Sequence, residues 1–181
     1  MATSDRSESV DVSALRELIR DIPDYPSPGV VFKDITPVLV NAAGLAAAVR
    51  ELSNPFRGRV DIVAAIEARG FILGAPVALE LGAGFVPLRK LGKLPGPTVA
   101  VDYALEYGEA TLEVHVDALD RDLRVLIVDD VVATGGTAQA AVNLVQRAGA
   151  EVVALSALLE IEALGGRRRL VDICVHTVLT A

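Results

Sequence analysis

The chain has 181 residues, of which 52% are apolar and 23% are charged, with 17 basic residues against 24 acidic ones. This length and apolar content predict one domain with a sizeable core, which excludes wholesale disorder. The formal charge of -7 argues against a general nucleic-acid surface, because such a surface needs a basic field. The lone cysteine, Cys174, excludes an internal disulfide framework and argues against a cysteine-based zinc site.

The polar stretch at residues 1–10 is interpreted as an arm outside the core, without the apolar run of a signal peptide. Elsewhere, no uncharged apolar run reaches the roughly 18 residues that a membrane span needs. Together with the single cysteine, these features favour a cytoplasmic protein with neither a membrane nor a nucleic-acid partner.

The first predicted elements are two helices with an irregular segment between them. Apolar residues at 15–19 have helical spacing, and Asn41 is placed to cap a second helix that includes 45–52. Three prolines and a glycine fall within 23–29, and proline holds the backbone in extended forms. This segment is therefore predicted to be an ordered loop or hood.

Beyond residue 60, short apolar runs alternate with helical patterns. Strands are predicted at 60–66, 85–88, 125–128, 152–159 and 171–178, and helices at 71–81 and 136–147. This alternation is typical of the α/β class, with a central, mostly parallel sheet flanked by helices. Alternating polarity over 111–116 predicts an antiparallel strand, paired with 103–107 across Gly108 in a flexible loop. Cys174, among apolar neighbours in the last run, is expected to be buried.

The segment Val125–Thr137 has the strongest chemical pattern. A buried strand is followed by Asp129 and Asp130, and then by Thr-Gly-Gly-Thr at 134–137 where a helix begins. Glycines let the backbone approach an anion closely, and the N–H groups of a helix N-terminus stabilise a phosphate. The two carboxylates repel that phosphate, so they suit hydroxyl groups, a cation or a developing positive charge. The pattern predicts a ligand with a phosphate at one end and a polyol beside it, namely a ribose 5-phosphate.

Other common nucleotide motifs do not compete with this interpretation. The glycines alone are typical of a tight turn, and only the adjoining carboxylates favour a binding site. No G-x-x-x-x-G-K-[ST] pattern is present, and the G-x-G at Gly82 and Gly84 follows a predicted helix instead of a strand.

The same segment resembles the phosphoribosyl pyrophosphate signature of the type I phosphoribosyltransferases. Segments at 28–37, 67–71, 89–95, 105–108 and 164–167 resemble the adenine phosphoribosyltransferases, and the resemblance runs in order from about Leu15 to Leu170. It implies the type I phosphoribosyltransferase fold in a single domain over 1–181, and usually a homodimer. It also implies a purine salvage reaction in which adenine and phosphoribosyl pyrophosphate give AMP and pyrophosphate. Mg²⁺ is implied as cofactor, held mainly through substrate and water.

The resemblance also assigns roles to individual residues. Glu106 matches the acid–base residue, and Tyr107 is expected to help close the mobile loop. The hood at about 21–40 would bind the base through Val31, Phe32 and Lys33. The phosphate and ribose site is matched by Asp129, Asp130, Ala133, Thr134, Gly135, Gly136 and Thr137. The positions around pyrophosphate are matched by Arg69, Arg89, Lys90 and Lys93.

Two other functions stay open at this point. One is a related phosphoribosyltransferase for another base such as xanthine or orotate, although the hood matches the adenine pattern. The other is a regulator that senses phosphoribosyl pyrophosphate. Such a regulator needs a DNA-binding element, for which the segment before the hood is too short and the total charge too acidic.

Overall fold

The computed structural model describes residues 12–105 and 108–181. The chain divides into two compact units, one within residues 1–51 and the other formed by residues 52–181. The predicted arm at 1–10 lies outside the described residues, and the single domain over 1–181 stays a prediction.

The first unit is a two-stranded hairpin with one helix before it and two helices after it. Its elements are α1 (Val12–Glu17), β1 (Arg20–Pro23), β2 (Val31–Asp34), α2 (Thr36–Val40) and α3 (Ala42–Ser53), the last of which runs on past the unit boundary. The strands are antiparallel, with Ile22 opposite Phe32. Asn41 Oδ1 accepts a hydrogen bond from the Gly44 N–H at 2.9 Å, which confirms the predicted cap of α3.

The second unit is built on a seven-stranded sheet in the order β5-β6-β4-β3-β7-β8-β9. The pairs β3–β4, β3–β7, β7–β8 and β8–β9 are parallel, whereas β4–β6 and β5–β6 are antiparallel. The mostly parallel α/β sheet is therefore confirmed. The strands are β3 (Ile62–Ile66), β4 (Gly84–Lys90), β5 (Thr98–Leu105), β6 (Gly108–His115), β7 (Arg124–Val132), β8 (Glu151–Glu160) and β9 (Val175–Thr180).

Two helices flank this sheet, α4 (Arg69–Leu81) and α5 (Gly136–Ala148), with short 3-10 turns at Asn54–Phe56, Glu162–Leu164 and Gly166–Arg169. The central strands β3 and β7 contain runs of Val, Ile, Leu and Ala, at 63–66 and 125–128, whose side chains are almost wholly buried. A Cβ on Gly74 of α4 would lie 2.5 Å from the Ala65 Cβ of β3. Only glycine permits this approach, which brings the second turn of α4 close to the sheet.

Several element boundaries differ from the sequence prediction, including those of β7 and of the last strand. Strand β7 continues past Val128 to Val132, because β8 also extends and pairs with it as far as Glu160. The last strand begins at Val175 instead of 171, since residues before it form a turn in which the Ile173 N–H donates to Leu170 O. Cys174 lies at the end of this turn and is exposed, so the expected burial was wrong. Among the described helices, none is both long enough and apolar enough to cross a membrane.

Candidate active site at the carboxyl edge of the sheet

The parallel strands β3, β4 and β7 are neighbours, so their carboxyl ends lie at one edge of the sheet. In open α/β sheets, this is the edge at which ligands bind. The residues that follow or end these strands include the acidic pair, the glycine turn and most of the predicted cations.

The turn between β7 and α5 has the geometry of an anion-binding loop. Gly135 is the N-cap of α5, with a left-handed φ of 78°, and the first helical turn has no acidic residue. As a glycine, Gly135 has no side chain to bond the N–H groups of that turn, which are therefore available to an anion. Thr134 and Thr137 are half-buried beside it.

A second glycine lies directly against this loop. A Cβ on Gly135 would overlap the Gly166 carbonyl oxygen and lie 3.0 Å from the Gly166 Cα. Conversely, a Cβ on Gly166 would overlap the Ala133 carbonyl oxygen and lie 2.8 Å from the Gly135 nitrogen. The two backbones therefore touch without intervening side chains, and the turn at Gly166–Arg169 supports the loop from behind.

The carboxylate pair belongs to β7 itself. Asp129 Oδ1 accepts a hydrogen bond from the Asp130 N–H at 2.9 Å. Burial raises the pKa of Asp129 well above its usual range, and the neighbouring Asp130 charge raises it further. The start of α4 approaches this pair, since a Cβ on Gly70 would lie 3.0 Å from Asp129 Oδ1.

Asp130 faces a cation from α4. Its side chain is buried, with 5% of the residue exposed, and Arg69 Nε lies 2.7 Å from Asp130 Oδ2. The same oxygen accepts no directed hydrogen bond from any residue that the structure describes. The Asp130 carboxylate is thus neutralised by the charge of Arg69, and the lone pairs of Oδ2 remain available to a ligand hydroxyl or a metal-bound water.

The remaining predicted cations gather around Glu67, just past the end of β3. Arg89 Nε donates to Glu67 Oε2 at 3.2 Å, and the Lys90 N–H donates to the same oxygen at 2.8 Å. The hydrogen bond from Arg89 holds the pKa of Glu67 below its usual range. The Arg89 guanidinium also lies 5.8 Å from the Phe71 ring centroid and donates to Lys93 O at 3.4 Å. The structure therefore brings the Arg89 guanidinium together with the backbones of Lys90 and Lys93 around Glu67.

The predicted base-binding residues lie in the first unit. Val31 is exposed, and Phe32 packs edge-on against Tyr25 with ring centroids 5.3 Å apart. Lys33 Nζ pairs with Asp21 Oδ1 at 2.8 Å across the hairpin. The predicted acid–base residue Glu106 and the loop residue Tyr107 lie outside the described residues.

The ion pair between Glu160 and Arg167, beside the turn between β7 and α5, was not predicted from the sequence. Glu160, only 5% exposed at the end of β8, accepts hydrogen bonds from the Arg167 guanidinium, which holds the pKa of Glu160 below its usual range. Arg167 also donates to Val175 O at 2.7 Å and to Thr177 Oγ1 at 3.1 Å. These bonds fasten the turn that contains Gly166 to β8 and β9. The Gly165-Gly166-Arg167 pattern was the available signal, but its role depends on a contact that spacing does not reveal.

Comparisons with known proteins agree on one family. The model of the phosphoribosyl transferase domain matches residues 32–179. The chain is 58% identical over 174 residues to the adenine phosphoribosyltransferase of Thermobifida fusca, covering 95% of this chain and 99% of that protein. It is 61% identical over 162 residues to the same enzyme of Acidothermus cellulolyticus, covering 89% and 92% respectively.

Solved structures show the same likeness. The crystal structure of adenine phosphoribosyltransferase from Rhodothermus marinus has a TM-score of 0.90 at 52% identity, covering 94% of this chain and 98% of that one. The Saccharomyces cerevisiae enzyme, crystallised with an imino-altritol bisphosphate and adenine, has a TM-score of 0.88 at 35% identity, covering 92% and 97%.

Proposed function

Because the chain belongs to the adenine phosphoribosyltransferases, within the phosphoribosyl transferase domain family, we propose that it makes AMP from adenine and phosphoribosyl pyrophosphate. The reaction breaks the bond between the ribose C1 and the pyrophosphate oxygen and forms a bond from C1 to adenine N9. Pyrophosphate leaves, and the N9 proton is lost. The reaction returns free adenine to the nucleotide pool, which is purine salvage. This conclusion rests on the acidic pair of β7, Asp129 and the buried Asp130, on the strand that leads into the Gly135 turn.

The β7–α5 turn is the proposed site of the ribose 5-phosphate. Backbone N–H groups of Ala133–Thr137 and the two threonine hydroxyls surround the phosphate, helped by the positive end of α5. Asp129 and Asp130 accept hydrogen bonds from the ribose hydroxyls. Their charge also stabilises the positive character that develops at C1 as pyrophosphate departs.

The leaving pyrophosphate is the proposed ligand of Arg69, Arg89, Lys90 and Lys93. A leaving group with several negative charges departs more easily when cations hold its oxygens. Glu67 supports this role, since its carboxylate fixes the guanidinium of Arg89 and the backbone of Lys90. Arg69 stands between the two parts of the ligand, because it also contacts Asp130.

Mg²⁺ is the proposed cofactor. It prefers oxygen ligands and is usually bound through one or two carboxylates together with substrate phosphates and water. Asp129 and Asp130 fit that role, and Asp130 Oδ2 still lacks a directed hydrogen bond within the described part of the chain. Among the same residues, no cluster of three or more His, Cys, Asp or Glu side chains could hold a metal alone. The ion would therefore be held mainly by substrate and water, where it neutralises pyrophosphate charge.

Glu106 is proposed to accept the N9 proton of adenine, and Tyr107 to help close the loop over the site so that water is excluded. Val31, Phe32 and Lys33 are the proposed base-binding residues, with Phe32 held against Tyr25 as an apolar surface for the ring. Binding through the backbone of this hairpin would leave Lys33 free to keep its pair with Asp21.

We further propose a cytoplasmic homodimer. Ile72 and Leu79, seven residues apart on α4, are 48% and 83% exposed and lie on one face of that helix. These two side chains offer an apolar surface to a second copy of the chain. Sedimentation equilibrium would report a species of twice the 19.0 kDa chain mass, and a monomer would exclude this assembly.

The test of function is a panel of free bases. Purified protein is incubated with phosphoribosyl pyrophosphate, Mg²⁺ and each of adenine, hypoxanthine, guanine, xanthine and orotate, and pyrophosphate release and nucleotide are measured together. We expect AMP formation with adenine and less than about a hundredth of that rate with the others, because a site built to bond one base edge rejects a mismatched one strongly. A higher rate with xanthine or orotate, or no turnover at all, would refute the assignment.

A further inference from the structure

Glu113 is a buried charge to which the proposed reaction assigns no role. It lies on β6, opposite Arg89 of β4 and Ala100 of β5, and only 3% of it is exposed. A carboxylate is costly to bury unless hydrogen bonds satisfy its oxygens, so its partners indicate what it does.

Among the described residues, the hydrogen-bond donors to this carboxylate come from one short stretch of chain, 93–98. Glu113 Oε1 accepts from the backbone N–H groups of Lys93 at 3.0 Å and Leu94 at 3.1 Å. Glu113 Oε2 accepts from Thr98 Oγ1 at 3.3 Å. The three donors are neutral, so these contacts fix the path of the backbone between β4 and β5.

The backbone of Lys93 is held on its other side as well. The Arg89 guanidinium donates to Lys93 O at 3.4 Å while it also bonds Glu67. The backbone of Lys93 is therefore held by two carboxylates: Glu113 accepts from its N–H, and Glu67 holds the Arg89 guanidinium that donates to its carbonyl. The connection at 91–97 contains two glycines and two prolines. Without these hydrogen bonds, it would lose considerable conformational entropy when a ligand binds, which would weaken the affinity.

We propose that Glu113 is a positioning residue for the pyrophosphate site: its buried carboxylate holds the 91–97 connection on β6 and so places Lys93 in advance. The inference rests on the proposed function through the role of Lys93. Within the part of the chain that the structure describes, the Glu113 carboxylate accepts hydrogen bonds from the backbone of that connection and from Thr98, so we expect it to act on the affinity for pyrophosphate and for phosphoribosyl pyrophosphate. The chemical step is left largely unchanged.

Three variants separate positioning from charge and from folding. Glu113→Ala removes the acceptors, and we expect roughly a tenfold weaker Kd for Mg²⁺-pyrophosphate by calorimetry, equivalent to one or two hydrogen bonds. Glu113→Gln keeps an oxygen for both N–H groups and offers its amide to Thr98, so its Kd should stay within about twofold of wild type. Asp102→Ala is the matched control, because that carboxylate bonds only Thr111 on the exposed side of the same hairpin among the partners described; it should behave as wild type.

A double-mutant cycle with Lys93→Ala tests whether Glu113 acts through Lys93. In the Lys93→Ala background, Glu113→Ala should weaken pyrophosphate binding by less than about twofold. An equal loss in both backgrounds, or wild-type affinity in Glu113→Ala, would overturn the inference.

Amide hydrogen exchange gives a readout that needs neither turnover nor a variant. In the free wild-type protein, the Lys93 and Leu94 amides should exchange about as slowly as those of the β5–β6 ladder. Rapid exchange there would overturn the anchoring. If the protein makes no AMP, the proposed function fails, but these exchange rates and the pyrophosphate affinities still decide the role of Glu113.

Discussion

The negative charge of Asp129 is unfavourable in its position on β7. Burial and the neighbouring Asp130 raise its pKa, so the folded protein binds this proton more tightly than the unfolded chain does. The free energy of unfolding therefore falls as the pH rises from 3.8, the ordinary pKa of aspartate, through the raised pKa of Asp129. At neutral pH, the charged Asp129 destabilises the fold. Such a cost is expected at a functional site.

The variant Asp129→Asn should therefore be more stable and less active. At pH 7 its Tm should rise, by roughly 2–4 °C for each kcal/mol relieved, and the gain should shrink as the pH falls towards 3.8. Turnover should fall at least about tenfold as the ribose loses an anionic partner. Thermal melts over a pH series test this, with the exposed Asp122→Asn as control. A lower Tm at pH 7, or a gain that does not change with pH, would contradict the burial argument.

Gly135 is predicted to tolerate no side chain. In Gly135→Ala, the new Cβ would overlap the Gly166 carbonyl at a left-handed φ, so the loop must move away from its anion-binding shape. Phosphate-dependent binding of AMP should weaken at least about a hundredfold by calorimetry. Gly58→Ala is the control, because its φ of +71° imposes similar strain with no atom within 4 Å. If both variants bind AMP alike, the contact with Gly166 does not shape the site.

Individual residues were predictable from sequence where one segment contained the whole pattern. Asp129, Asp130 and Gly135 are adjacent in the chain, so their joint geometry follows from a strand that leads into a helix. Glu67 and Glu113 were not assigned any function, because each acts through backbone donors about twenty residues away. Such pairings depend on strand register, which a single sequence does not specify.

The 3-10 turn Gly166–Arg169 contributes to the stability of the fold and also contacts the β7–α5 turn, the proposed phosphate site. In Arg167→Met, the buried Glu160 loses its cation and the turn loses two further attachments, both to β9. We expect destabilisation on the order of 2 kcal/mol, less than for a fully buried pair because about half of the Arg167 side chain is exposed. The KM for phosphoribosyl pyrophosphate should rise several-fold while the KM for adenine changes little.

The exposed neighbour Arg169 provides the control for this element. Arg169→Ala should keep both the Tm and the KM values of wild type. If Arg167→Met lowers the Tm but leaves the KM for phosphoribosyl pyrophosphate unchanged, the turn supports the fold and does not shape the loop.

Elements with a strong periodic pattern were predicted closely, including both long helices of the second unit and the strands at its centre. The hairpin of β1 and β2 was not predicted, because four-residue strands flanked by prolines have no alternation to detect. The last strand began later than its apolar run, since Val171 is a loop residue with 79% exposure. Apolar composition alone does not distinguish a strand from the turn before it.

At the scale of the second unit, the sheet topology explains why the proposed site is assembled at one edge. Parallel pairing of β3 with both β4 and β7 brings Glu67, Arg89 and Asp130 to neighbouring strand ends, although they are far apart in sequence. The α/β class was therefore enough to predict the edge at which the proposed site residues gather. The proposed base-binding hairpin belongs to the first unit, and its choice of adenine was implied by family resemblance and not by its side chains.

The β7–α5 turn is proposed to hold a ribose 5-phosphate while the acidic pair of β7 bonds the sugar. A crystal structure of the protein with AMP, Mg²⁺ and pyrophosphate tests it most directly. We predict the 5′-phosphate on the N–H groups of residues 134–137, with the ribose hydroxyls within hydrogen-bond distance of Asp129 and Asp130. An AMP phosphate bound elsewhere, or a ribose out of reach of both carboxylates, would contradict the account.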